Sequence, residues 1–169
     1  MLMMRYAGLK LRDLPKAEWE NGLYQYVGVT TQDVIDKKPE ALTRALRAMA
    51  QGQMMSAIAP EMTVEAFWRQ YPDQAPKPEN REEAFKQNLA RINQQNTLIG
   101  MPPNPTNEQL MAQQWGNQTL AAWTRIEENL FRTGSITRKV DPARVFENKF
   151  VGPANKFNRA KLFEIAARK

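Results

Sequence analysis

The stretch GLYQYVGV (residues 22–29) places the strongest constraint on the fold, because it is the part of the chain least suited to a helix. Aromatic and β-branched residues dominate it, and such residues favour strands. Apolar side chains fall on both of its alternating faces, which indicates a strand that is buried on two sides. The stretch LKLRDLP (residues 9–15) also alternates with a period near two. One or two N-terminal strands are therefore predicted.

The chain after these strands has the patterns of helices. Proline suits the first position of a helix, where no N–H is needed, and asparagine or threonine with Glu or Gln three residues later suits the cap. Gly134 is expected to end a helix in the left-handed conformation. From residue 135 the sequence is irregular and rich in Phe, so this part is expected to wrap across a folded body. The predicted helix starts are Asp33, Pro39, Pro60, Asn80, Thr106 and Asn158.

The 169 residues suffice for one domain with a core, and they include neither Cys nor His. This composition excludes a cysteine nucleophile, a histidine base and zinc sites built from either residue. The acidic pairs Glu82-Glu83 and Glu127-Glu128 are interpreted as solvated faces, because neighbours on a helix point in different directions. No catalytic residue, metal site or cofactor is predicted, and the chain is not expected to be an enzyme.

The net charge of +6 comes from basic residues that are spread along the chain rather than gathered in one run. Nucleic acid is therefore not expected as a partner. The first residues, MLMMRYAGLKLRDLP, lack the pattern of a secretory signal. No window of the sequence reaches the eighteen apolar residues typical of a membrane-spanning helix.

Residues 27–72, VGVTTQDVIDKKPEALTRALRAMAQGQMMSAIAPEMTVEAFWRQYP, resemble part of bacterial ABC-transporter substrate-binding proteins. The subgroup is the one that handles nitrate, sulfonates, taurine and thiamine-pyrimidine precursors. In that family a strand leads to a phrase like "knPe", a helix and a return helix. Here Lys38-Pro39-Glu40 and Ala59-Pro60-Glu61 match the starts of the two helices.

The end of the chain resembles the closing phrase of the same family. The matching residues are Val140-Asp141-Pro142, the run VFENKFV (residues 145–151) and Asn155. The two matches occur in the right order, and the resemblance covers roughly Leu9 to the end. It implies the C-terminal half of a substrate-binding protein with the type II periplasmic binding protein fold.

The fold that the resemblance implies is a mainly α-helical chain with one or two N-terminal strands, a partial α/β lobe that lacks most of its sheet. Residues 1–22 would end the second lobe, 23–31 would form a hinge-crossing strand, 32–134 the helical part of the first lobe, and 135–169 a wrapping tail and final helix. Family members are about twice this length. The chain is therefore expected to be truncated, whether by a shortened gene, a mis-called start codon or design.

A lone half of this kind is expected to expose apolar surface, which favours a homodimer or aggregation. The side chains expected to be exposed are those of Leu23, Val27, Phe146 and Phe150.

The function that the resemblance implies is the solute-binding component of an ABC importer. Such a receptor captures a small organic or anionic solute between two lobes, without catalysis, and delivers it to the permease subunits. The periplasm is the implied location, although this chain shows no signal peptide. The candidate ligand-binding residues are Tyr24, Gln25, Tyr26 and Thr30. One alternative stays open, a small basic helical protein that binds a partner protein or nucleic acid through a clustered basic face.

Overall fold

The computed structural model describes residues 4, 8–12, 24, 26–102 and 104–168, and the regular structure in this part is helical. In chain order, the α-helices are α1 (Gln32–Lys37), α2 (Pro39–Ile58), α3 (Pro60–Gln70), α4 (Arg81–Leu98), α5 (Asn107–Ala112), α6 (Leu120–Arg132), α7 (Val151–Ala154) and α8 (Arg159–Ala166). Short 3₁₀ helices occur at Pro72–Gln74, Pro78–Asn80 and Pro142–Arg144. None of these helices combines the length and apolar character needed to cross a bilayer.

The prediction of a partial α/β lobe with one or two N-terminal strands is wrong, because the described residues form no strand. Residues 9–12 and 26–30 belong to no regular element. A strand is held by hydrogen bonds to a neighbouring strand, and residue preference alone cannot supply them. No described residue makes a backbone hydrogen bond to residues 26–30. The rest of the predicted strands, residues 13–23 and Gln25, lies outside the described residues.

Local signals place most of the helix starts where the sequence predicts them. Pro39 and Pro60 are the first residues of α2 and α3. Thr106 and Gln109 form the predicted capping box, in which the Gln109 N–H donates to Thr106 Oγ1 at 3.2 Å and the Thr106 N–H donates to Gln109 Oε1 at 2.9 Å. The side chain of Asn158 caps α8. These starts are confirmed because each depends on residues that are close in sequence.

The predicted cap at Asn80 is wrong. The side chain of Asn80 makes no capping hydrogen bond, and the 3₁₀ helix Pro78–Asn80 runs directly into α4. The backbone of Asn80 has φ −107° and ψ 1°, which differs from the extended conformation that lets a side chain reach the first N–H groups of a helix. The preceding turn therefore leads into α4 in place of the predicted cap.

The described residues form two compact units. The first comprises those within Met1–Asp13, Gln51–Gln113 and Phe157–Lys169, and the second those within Leu14–Ala50 and Gln114–Lys156. Each unit combines segments that are distant in sequence, so long-range contacts hold each of them together. The sequence ranges of the two units carry the same excess of basic over acidic residues, so the basic charge is not concentrated in one of them.

The first unit has a closed apolar core around Met54, Val64 and Trp68, which are at most 4% exposed. Trp68 meets the ring of Phe85 edge-on, with the centroids 6.1 Å apart. The guanidinium of Arg81 lies 4.9 Å from the centroid of Trp68, where a cation–π attraction adds to the packing. Trp68 is therefore a core residue.

A buried polar pair joins α2 and α4 within this first unit. The hydroxyl of Ser56 donates to Oδ1 of Asn96 at 2.9 Å, and Nδ2 of Asn96 donates to the carbonyl of Ser56 at 3.1 Å. Asn96 is only 9% exposed. Because both ends of its amide have partners, the polar side chain is accommodated in the core.

Replacing Asn96 with alanine is expected to lower the free energy of unfolding by about 1–3 kcal/mol, because the carbonyl of Ser56 loses its buried partner, while the Ser56 hydroxyl can still donate to the Gln53 carbonyl. Urea denaturation followed by circular dichroism measures this change. Asn93→Ala is the matched control, because Asn93 is exposed on the same helix, and it is expected to cost less than about 0.5 kcal/mol. Equal losses from the two variants would contradict the assigned role of Asn96.

Candidate functional site

In the second unit, Asn155 holds residues 135–156 (the tail segment) to residues 114–119 (the Trp115 loop). Its Oδ1 accepts a hydrogen bond from the Trp115 N–H at 3.0 Å, and its Nδ2 donates to the carbonyls of Trp115 at 2.9 Å and Val151 at 2.8 Å. Trp115 and Asn155 are 7% and 8% exposed. An asparagine amide can serve both backbone groups of a buried loop residue, which has no helix to pair them.

Asn148 makes the same arrangement earlier in the tail segment. Its Oδ1 accepts from the Gln118 N–H at 3.2 Å, and its Nδ2 donates to the Gln118 carbonyl at 2.6 Å. The side-chain oxygen of Gln118 accepts from the indole N–H of Trp123 at 2.6 Å. The tail segment therefore holds the Trp115 loop at two points, and the second point is linked to α6.

A local contact shapes the turn that presents Asn148. The backbone N–H of Lys149 donates to Oε1 of Glu147 at 2.8 Å, and the Lys149 ammonium lies 3.4 Å from Oε2. The backbone hydrogen bond, helped by the nearby ammonium, lowers the pKa of the Glu147 carboxyl from its ordinary value. Because this pKa is lowered in the folded state, the contact stabilises the fold at pH values above the ordinary pKa of a glutamate carboxyl. Its contribution is lost as the pH falls through the lowered pKa.

Aromatic packing fixes the start of α6. The ring of Trp123 lies 5.9 Å from that of Tyr24 and 6.3 Å from that of Phe146, measured between centroids. The Tyr24 hydroxyl accepts a hydrogen bond from the N–H of Thr119 and lies 3.4 Å from Thr119 Oγ1. Thr119 is the cap residue of α6. Tyr24 therefore anchors this helix end, and the rings have the separations typical of packed aromatic pairs.

The four predicted ligand-binding residues have different environments. Tyr24 is half-buried and bonded to Thr119. Tyr26 is 62% exposed, and Thr30 is also exposed. Gln25 lies outside the described residues. The structure thus gives Tyr24 a packing role and leaves Tyr26 and Thr30 accessible, and ligand binding by the set stays a prediction.

The expected apolar exposure is confirmed for Val27 and wrong for the two phenylalanines. Val27 is 44% exposed, whereas Phe150 is 7% exposed and Phe146 is half-buried. Both phenylalanines are covered because the tail segment folds onto its own unit. Leu23 lies outside the described residues.

Buried polar atoms without a hydrogen-bond partner are concentrated in the second unit. Among the described residues, these atoms are Nε of Arg47, Nε1 of Trp115, Oε1 of Glu127 and Nδ2 of Asn129. Leaving one such atom unpaired costs about 1–3 kcal/mol. The interpretation of the pair Glu127-Glu128 as a solvated face holds for Glu128, which is exposed, but is wrong for Glu127, which is 7% exposed. The second unit therefore retains unused hydrogen-bonding capacity in its interior.

An open depression lies along the N-terminal half of α2, within the second unit. It has a volume of about 320 Å³ and is lined by Pro39, Glu40, Thr43, Arg44 and Arg47. The guanidinium of Arg47 is partly engaged, because it donates to the carbonyl of Pro153 at 2.9 Å. A site for a small solute normally encloses most of its ligand, which this open surface does not do. The described residues also contain no cluster of three or more acidic residues that could hold a metal ion.

Reasoning from the sequence alone does not identify Asn148 and Asn155 as anchors. Both belong to the phrase that resembles the closing phrase of the substrate-binding proteins, but their partners lie 30 and 40 residues away in the chain. The sequence feature that could have identified these anchors is an asparagine close to a phenylalanine in a segment without regular structure. Such a segment cannot pair its own backbone, so its asparagines are natural partners for another loop.

Comparison of the chain with protein-family models, with curated proteins and with solved structures finds no match. The resemblance to substrate-binding proteins therefore rests on the residues quoted for it. In the structure, several of these residues hold the fold together. Pro39 and Pro60 begin helices, Phe150 is buried, and Asn155 pairs with Trp115.

Replacing Asn155 with aspartate is expected to lower the free energy of unfolding by about 2–4 kcal/mol. The change preserves the shape but removes the N–H donors and buries a charge. Urea denaturation followed by tryptophan fluorescence measures the loss. Asn117→Asp, at an exposed position of the Trp115 loop, is the matched control and is expected to cost less than about 0.5 kcal/mol. A loss no larger than that of the control would show that Asn155 does not anchor the tail segment.

Tyr24→Phe and Tyr26→Phe form a second matched pair of variants. Tyr24→Phe removes the acceptor for the Thr119 N–H and is expected to lower the free energy of unfolding by about 1 kcal/mol. The hydroxyl of Tyr26 has no described partner, so Tyr26→Phe is expected to leave stability unchanged. The same urea titration measures both variants. The assignment fails if the Tyr26 variant is the less stable of the two.

Proposed function

We propose that this chain contributes to the solute-binding component of a bacterial ABC importer, where it acts with further polypeptide to capture a small organic or anionic solute without catalysis. The observation that carries the proposal is the resemblance of residues 27–72 and of the run VFENKFV (residues 145–151) to ABC-transporter substrate-binding proteins.

Exposed apolar side chains of the second unit support the same proposal. Leu120 and Phe131 are 51% and 43% exposed at the two ends of α6. Large exposed apolar side chains in several places are typical of a surface that another polypeptide covers. These exposed side chains favour a component of a larger receptor over a self-sufficient binding module.

The resemblance supplies the class of receptor. The phrases shared with ABC-transporter substrate-binding proteins lie at the starts of α2 and α3 and at the asparagine anchors of the tail segment. Within these phrases, Pro39 and Pro60 begin helices, and Asn148 and Asn155 bind the Trp115 loop. The shared phrases support the class of receptor and not its α/β architecture, because the described residues form no strand.

A binding role also suits the accessible residues better than the alternative of nucleic-acid recognition. Recognition of nucleic acid requires concentrated basic charge, and here basic and acidic residues are shared evenly by the two units. The open depression on α2 presents Arg44 and Arg47 next to Glu40, a mixed rather than a uniformly basic lining. The proposed partners are therefore a small solute and the permease subunits of an importer.

The size and location of the native product test this proposal. An immunoblot of fractionated source cells, with antibody raised against the chain, is expected to show a band about twice its 19.4 kDa in the periplasmic or membrane fraction. Native immunoprecipitation from the same fraction is expected to recover an ABC permease subunit. Antibody absorbed with the purified chain serves as the control. A single band of the chain's own size in the cytosol, without permease subunits, would overturn the proposal.

A further inference from the structure

Residues 26–30, YVGVT (the docking segment), are exposed and belong to no regular element. No described residue makes a backbone hydrogen bond to any of them. Tyr26 is 62% exposed, Val27 44% and Val29 90%. The segment ends at Thr31, whose side chain accepts from the Val34 N–H and caps α1. The helix therefore fixes where the free segment stops.

The composition of the docking segment favours pairing with another strand. Tyrosine, valine and threonine are among the residues most enriched in strands, and the segment contains neither proline nor charge. An exposed row of N–H and C=O groups beside such side chains is a template for edge-to-edge association. The described part of the chain offers no strand that could fill this role.

The order of residues around Gly28 suits a second copy of the same segment. If two copies run antiparallel with Gly28 opposite Gly28, each Val27 lies opposite Val29 of the other copy. Each Tyr26 then lies opposite Thr30. Directly opposed β-branched and aromatic side chains stabilise a strand pair, and like charges in those positions would destabilise it. The uncharged segment lets two copies of a chain of net charge +6 meet without placing like charges opposite each other.

We propose that the docking segment forms a two-stranded antiparallel ribbon with the docking segment of a second copy, with Gly28 on the two-fold axis. Both copies use the same surface in this two-fold arrangement, so no free docking segment remains for a third copy. The arrangement therefore gives dimers rather than fibres. A two-stranded ribbon alone is marginally stable, so the dimer is expected to be weak and dependent on concentration. The inference stands independently of the importer function, since it concerns only the pairing of identical segments.

Reversal of charge at the two valines tests the pairing. One double variant carries Val27→Lys and Val29→Lys, and the other carries Val27→Glu and Val29→Glu. Each alone should sediment as a monomer at concentrations where the unaltered chain dimerises, because like charges then face each other. An equimolar mixture should recover dimers, since lysine then faces glutamate. The helical circular dichroism should be unchanged, as both positions are exposed and lie outside helices.

Cysteine crosslinking tests the register, and the chain has no cysteine that would interfere. A Cβ atom at residue 28 would meet no atom within 4 Å, so Gly28→Cys fits the structure. Under mild oxidation, Gly28→Cys should form disulfide-linked dimers at least about tenfold faster than Met111→Cys, a control at another exposed apolar position. Val29→Cys should be slower than Gly28→Cys, because residue 29 faces residue 27.

Three results would overturn the inference. The first is an unaltered chain that remains monomeric at every concentration in sedimentation. The second is dimerisation that persists in both charge variants, which would place the interface elsewhere. The third is open-ended aggregation, or equal crosslinking at residues 28 and 111, which would exclude the closed antiparallel register.

Discussion

The pairing of Asn155 with both backbone groups of Trp115 is the interaction on which the second unit depends most. A loop that passes beneath other chain segments has N–H and carbonyl groups that neither helix nor water can serve. The asparagine amide both donates and accepts, so one side chain pairs with both the N–H and the carbonyl of Trp115. Asn148 does the same at Gln118, and Gln118 in turn binds the indole of Trp123. The position of α6 therefore follows from two asparagines in a segment that has little regular structure of its own.

The two units differ in how completely their buried polar groups are hydrogen-bonded. The first buries Met54, Val64 and Trp68 and pairs both ends of its buried amide Asn96. The second pairs its asparagines well but leaves polar atoms of Glu127 and Asn129 without hydrogen-bond partners. Buried groups of this kind are costly, and those found among the described residues all lie in the second unit.

The docking segment shows why strand preference and strand formation are different properties. Its residues favour a pleated backbone, yet the described structure supplies no neighbour with which they can pair. The free energy of a strand comes mainly from its partner, through the hydrogen-bond ladder and the opposed side chains. A segment with strong preference and no partner remains available for association. For this reason, one stretch accounts both for the error in the predicted fold class and for the inferred contact between copies.

Sequence alone determined the features that depend on near neighbours in the chain. Pro39 and Pro60 start helices, Thr106 and Gln109 form a capping box, and Gly134 adopts the left-handed conformation with φ 72°. Each of these follows from the geometry of a few consecutive residues, so a pattern in the sequence is sufficient to predict it.

Tertiary structure alone decided the features that need a partner from elsewhere in the chain. The burial of Glu127 could not be read from its place in an acidic pair, because the face it occupies depends on what packs against α6. The roles of Asn148 and Asn155 depend on a loop 30 to 40 residues earlier. The predicted ligand residue Tyr24 packs against Trp123 for the same reason. The geometry of adjacent residues determines where helices begin. Burial and long-range hydrogen bonds form only when segments that are distant in sequence pack together.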